Sequence, residues 1–141
     1  MGPSTALVVD AGPLVALVDR DDPAHSRCKQ LFEEAVGPLV VPLLTVAEAA
    51  HFIGRRLHPD AELQFLADFV IGSFSAEAVH AADWLRIAEL VEQYRDLRLG
   101  TVDASVIAAA ERLGVSTIVT LDRRHFSVVR PRHIESFELL P

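Results

Sequence analysis

Four carboxylates stand out by where they fall in the chain: Asp10, Glu48, Asp103 and Asp122. Asp10 closes the run Ala6-Leu7-Val8-Val9, and Asp122 follows Thr117-Ile118-Val119-Thr120-Leu121. Short β-branched runs of this kind form buried parallel strands. Glu48 and Asp103 fall in the first turns of segments with helical apolar spacing. Carboxylates held together repel one another and are costly to desolvate, so a protein that gathers several ordinarily binds a hard cation there. Mg²⁺ or Mn²⁺ suits such a set, because these ions take one or two protein carboxylates and keep room for water and phosphate oxygens. The matching chemistry is phosphodiester hydrolysis, with two ions about 4 Å apart able to clamp the attacking and leaving oxygens. Singly, each acid also has an ordinary use. Glu48 fits a capping box with Thr45, Asp103 fits a helix dipole, and Asp10 and Asp122 can cap the turns that follow them.

The elements that must position these acids alternate between strand and helix. After the first strand come helical patterns over Pro13–Val18 and Pro23–Ala35, the second with Asp22 as its cap and Gly37-Pro38 as its stop. Leu39-Val40-Val41 is a second strand, followed from Thr45 by a helix whose inner positions are Val46, Ala49, Ala50 and Ile53. Ala61–Ile71 is helical and apolar on nearly every side, so it is buried or awaits a partner. A brief strand over Ser73–Val79 precedes a helix over Ala81–Tyr94 with Trp84, Leu85, Ile87, Ala88, Leu90 and Val91 inward. Thr101–Leu113 is helical, capped by Thr101 and stopped by Gly114, and Ile134–Leu139 alternates as an edge strand. This order predicts an α/β fold of three layers, α/β/α, around a central, mainly parallel sheet, with sites beyond the carboxyl ends of the strands. The four acids would share one crevice there.

Composition narrows the class. The 141 residues suit one domain, residues 1–141; half are hydrophobic and no apolar run approaches a membrane span. The opening MGPSTALVVD shows no targeting signal, and the single cysteine, Cys28, is read as a small buried residue in a reducing compartment, hence a cytoplasmic protein. A net charge of −7 argues against a nucleic-acid coat protein, while leaving room for a nuclease whose acids inflate the negative count. The histidines, His25, His51, His58, His80, His125 and His133, show no ligand spacing and are read as surface or cap residues. Arg55-Arg56, Arg123-Arg124 and Arg130/Arg132 are read as solvated, those near Asp122 being able to grip a phosphate backbone.

The strings VVDAGPLVALVDRDDPAH, LLTVAEAA, GTVDASVIAAAERLG and VTLDRRHF, in this order, resemble the PIN domain, particularly the VapC toxins of bacterial toxin–antitoxin pairs. The resemblance covers essentially the whole chain. It implies a metal-dependent endoribonuclease with Asp10, Glu48, Asp103 and Asp122 as catalytic metal ligands for Mg²⁺ or Mn²⁺, and with Thr120 matching a small hydroxyl beside them. It further implies an RNA substrate, a small antitoxin partner that reaches the acids with an arginine, and a homodimer. The apolar surface of Val46–Leu57 and Ala61–Ile71 exceeds what one such domain is expected to hide, and Phe65 and Phe69 are candidate groove residues for a partner. A different class, a catalytically idle PIN-like module whose acids dock a basic partner, is separated from the nuclease by divalent-metal-dependent RNA cleavage. A haloacid-dehalogenase or phospho-receiver reading fails because Lys29 is the only lysine and lies too early; a dinucleotide-binding reading fails because no G-x-G-x-x-G follows the first strand.

Overall fold

The computed structural model describes residues 5–141. The absence of a targeting signal in the first four residues lies outside this part. Strands β1 (Leu7–Val9), β2 (Leu39–Pro42), β3 (Ser75–Glu77), β4 (Thr117–Val119) and β5 (Glu138–Leu140) form one sheet in the order β3-β2-β1-β4-β5. All four pairings are parallel, both edges included, with Val8 opposite Val40 on one side and Ile118 on the other. Helices α1 (Ala11–Val18), α2 (His25–Glu34), α3 (Leu43–Arg56), α4 (Pro59–Val70), α5 (Ala81–Gln93), α6 (Thr101–Leu113) and α7 (Arg123–Phe126) complete the described elements. None is long and apolar enough to cross a membrane.

Alternation along the central strands divides the core into two. Val8 and Ile118 pack with Ile87, Leu90, Val106 and Ile107 of α5 and α6. Val9 and Val119 point to the other side, with Leu14, Ala49, Ile53 and Phe65 of α1, α3 and α4. Such a period of two is what a pleated strand buried on both faces imposes. Two glycines have conformational work: Gly114 ends α6 at φ +69°, and Gly37 passes so close to the Thr5 carbonyl that a Cβ would lie 2.1 Å from its oxygen.

Several local expectations are corrected. α3 begins at Leu43, so Thr45 lies inside it, no capping box forms, and Glu48 sits in the second turn. The N-cap of α6 is Gly100, not Thr101, and that of α2 is Ala24; Asp22 instead accepts the Ala24 N–H in the preceding turn. Trp84, Leu85 and Ala88 face outward from α5. Its inner stripe is Asp83, Ile87 and Leu90, because Arg112 of α6 pairs with the Asp83 carboxylate and allows that acid to be buried. Phe65 is fully buried and Phe69 packs edge-on against it, so these rings are core and not a groove. The exposed apolar side chains of the segment are Leu63, Leu66, Val70 and Ile71.

Candidate active site

Strand order creates the site. β1 sends its crossover toward β2 on one side, while β4 arrives on its other side, so a crevice opens beyond the carboxyl ends of β1 and β4. Asp10 leaves β1 as the N-cap of α1, and Asp122 follows β4 as the N-cap of α7, where its Oδ1 accepts the Arg124 N–H. Asp103 enters on the first turn of α6, a helix buried continuously from Ala104 to Ala110 and therefore carried into the centre of the molecule. Glu48 approaches on α3, which packs against both α1 and α6.

Thr120 links two of these acids. Its hydroxyl donates to Asp10 Oδ2 at 2.9 Å and accepts the Asp122 N–H at 2.9 Å. One buried side chain thus sets the Asp10 carboxylate against the backbone that carries Asp122. His125, read from sequence as a surface or cap residue, is buried in the same place. Its Nδ1 lies 3.2 Å from Asp103 Oδ2 and 3.0 Å from Asp122 Oδ2, close enough for charge pairing, though neither contact is aligned as a hydrogen bond. The available signal was its place three residues after Asp122, which on a one-turn helix returns a side chain to its cap.

Electrostatics show that the acids share a field. The Asp103 carboxyl is raised to about 6, by burial first and then by the charge of Asp10, with His125 opposing and Asp122 and Glu48 adding smaller increments. Asp10 is also raised, by burial first, with the Ala11 N–H and the Thr120 hydroxyl partly offsetting and Asp122 adding. Burial and then the charge of Asp10 raise Glu48. Like charges gathered in a half-dry crevice produce this pattern, and a bound cation relieves it. Asp103, Asp122 and His125 bring one donor atom each within 4.8 Å of one another. Asp10 and Glu48 stand outside that tight group while remaining electrically coupled to it. The donor set, carboxylate oxygens with one imidazole nitrogen lacking an aligned hydrogen bond, fits a divalent ion such as Mg²⁺ or Mn²⁺.

Comparison with known proteins identifies the family. The family profile of the PIN domain matches residues 7–130. Ribonuclease VapC26 of Mycobacterium tuberculosis is 33% identical over 135 residues, 96% of this chain and all of that protein. Among solved structures, VapC20 of Mycobacterium tuberculosis, a toxin that cleaves the sarcin–ricin loop, superposes with a TM-score of 0.81 at 19% identity, covering 92% of this chain and 98% of its own. FitAcB from Neisseria gonorrhoeae gives 0.70 at 12% identity, with 96% of each chain covered. VapBC2 from Rickettsia felis, bound to a DNA fragment from its promoter, gives 0.66 at 13% identity, covering 95% and 96%. The chain belongs to the PIN domain family, in its VapC-like branch.

Proposed function

We propose that the protein is a divalent-metal-dependent endoribonuclease, acting as the toxin of a toxin–antitoxin pair that restrains growth in the cytoplasm. The observation that carries this reading is the convergence of Asp10, Glu48, Asp103 and Asp122 from four separate elements on one crevice, where burial first and then the charges of the other three acids lift Asp103 to about 6. When bound there, Mg²⁺ or Mn²⁺ supplies an activated water and charge stabilisation at the scissile phosphate. Asp103 and Asp122 would hold it, with His125 beside them and Asp10 completing the set. Thr120 fixes Asp10 in place. Glu48 is partly buried at the edge of the crevice, and its raised proton affinity suits it to take up a proton at its carboxylate. The Arg124 guanidinium has no carboxylate partner among the described residues, and the residue stands beside Asp122, where it can meet an RNA phosphate.

The partner is a small antitoxin. Leu63, Leu66, Val70 and Ile71 form a stripe on the outer face of α4 that suits an amphipathic helix, and an arginine reaching the crevice would neutralise its acids. Trp84 and Leu85 on α5 supply a separate apolar patch suited to a second copy of the chain. The nuclease reading is tested by incubation with total RNA and Mg²⁺ or Mn²⁺, with and without EDTA, followed by mapping of new 5′ ends. Discrete ends are expected that require the metal and vanish in Asp10→Asn and Asp103→Asn. Cleavage undiminished in both variants overturns the site assignment, and a folded protein that cuts no RNA with metal present overturns the nuclease in favour of an idle docking module.

A further inference from the structure

Beside the acids the crevice widens into a cleft of about 360 Å³, within the range of small-ligand pockets. Gly12 and Val15 of α1, Asp22 after it, His51 and Phe52 of α3, and Leu121 after β4 wall this cleft, and Glu48 borders it. Phe52 and Leu121 are 42% and 38% exposed, and neither belongs to the two halves of the core. The Arg56 guanidinium, one turn beyond Phe52, lies over its ring at 5.7 Å from the centroid. Neither Arg55 nor Arg56 has a carboxylate partner among the described residues. Asp22 spends Oδ1 on the Ala24 N–H, while its second oxygen makes no hydrogen bond among those residues.

The cleft therefore offers a half-exposed aromatic ring with the Arg56 guanidinium over one of its faces, an acceptor edge, and in that guanidinium a cation without a carboxylate partner, next to an acid of the crevice. An unpaired nucleobase has the complementary parts: a flat ring to stack, amino groups to donate, and an attached phosphate. We propose that this cleft is a nucleobase subsite, in which an unpaired RNA base neighbouring the scissile phosphate stacks on Phe52, donates to Asp22 and leaves its phosphate to Arg56. The inference rests on the ribonuclease reading and adds to it the residue that registers the RNA. An apolar anchor from a protein would use the walls but leave Asp22 and Arg56 without counterparts.

The test uses the full chain carrying Asp10→Asn, so that the probe is not cut, and fluorescence anisotropy with two labelled probes: oligo(rA) of eight nucleotides and an abasic ribose-phosphate chain of the same length. The base-bearing probe should bind about five- to a hundredfold tighter. Adding Phe52→Ala or Phe52→Leu should erase that difference, and Phe52→Trp should keep it; the leucine retains bulk without a π-face. Equal binding of the two probes, or equal losses in the leucine and tryptophan variants, overturns the subsite. So does a change in self-association by light scattering with unchanged anisotropy, which would make the cleft a contact between protein chains. Cleavage of total RNA by the unaltered protein, with and without EDTA, judges the ribonuclease reading separately: cutting that ignores Phe52 condemns the subsite alone, and base-dependent binding without cutting condemns the nuclease alone.

Discussion

Replacing Asp103 by asparagine should make the metal-free protein more stable at neutral pH. Asparagine keeps the shape of the side chain and removes the charge that burial and the neighbouring acids oppose. Its carboxyl is raised from 3.8 to about 6, and at about 1.4 kcal/mol for each tenfold change in proton affinity the ionised form carries a penalty of about 3 kcal/mol. The side chain is 24% exposed, so solvent screening removes only part of this. Relaxation of the crevice leaves a gain of about 1–3 kcal/mol, or roughly 4–12 °C in melting temperature for a chain of this length. The direction with pH follows from a raised acid. Below 3.8 the carboxyl is protonated in folded and unfolded states alike and no penalty exists; the penalty develops as pH rises through about 6 and is level above it. Urea unfolding of both proteins in EDTA, from pH 4 to pH 8, should show their difference opening across that interval. Saturating Mn²⁺ should reverse the order, since the native protein gains more binding energy than the variant. A variant no more stable than the native protein at pH 7.5 in EDTA, or a difference that does not change with pH, would refute the account of Asp103 as a buried acid among like charges.

Thr120→Val removes the donor to Asp10 and the acceptor of the Asp122 N–H, so RNA cleavage should fall at least tenfold with the fold kept by circular dichroism; unchanged kcat/KM counts against its positioning role. Phe65→Ala should cost about 3–5 kcal/mol in urea unfolding, and a loss below about 1 kcal/mol would mean that the ring is not the core anchor its burial indicates. Arg112→Met leaves Asp83 buried without its cation. Burial alone would raise that carboxyl, but hydrogen bonds from Arg112 and the His80 N–H hold it below its ordinary value, so its stabilisation is present above the usual carboxylate range and lost as pH falls through the depressed value. The variant should therefore be about 1–3 kcal/mol less stable at pH 7, with the difference closing below about pH 4; a difference constant with pH would be inconsistent with this pairing. Leu63→Ser with Val70→Ser should change stability by less than about 1 kcal/mol while weakening capture of a cognate antitoxin; full affinity places that interface elsewhere.

The parts legible in the sequence were those in which local pattern and global architecture agree. Acids that close β-branched runs mark the carboxyl ends of parallel strands, and that pattern puts Asp10 and Asp122 at the same end of the sheet. Asp103 followed from its place in the first turn of a helix whose apolar spacing and Gly114 stop are plain in the sequence. Where tertiary contacts chose between local options, the pattern misled. The apolar residues of α5 offer more than one stripe, and the choice was made by a charged pair, Asp83 with Arg112, that hydrophobicity alone disfavours. Thr45 and Glu48 have capping-box spacing, yet β2 runs to Pro42 and α3 starts directly after it, so the box never forms. His125 lies between Asp122, three residues before it, and Asp103, 22 positions earlier in the chain, and local spacing reports only the first of these contacts.

The central position of β1 also has a consequence in time. Its neighbour β4, and Thr120, which holds Asp10, are made some 110 residues after it. At a synthesis rate of about 5–20 residues per second, a nascent chain spends seconds with Asp10 exposed and no Thr120 or Asp122 to complete the crevice. Ribosome-bound chains halted before Thr117 should accordingly cut no RNA. The proposed nuclease is in this way incomplete during its own synthesis, because the first and last acids meet only after synthesis has passed Asp122.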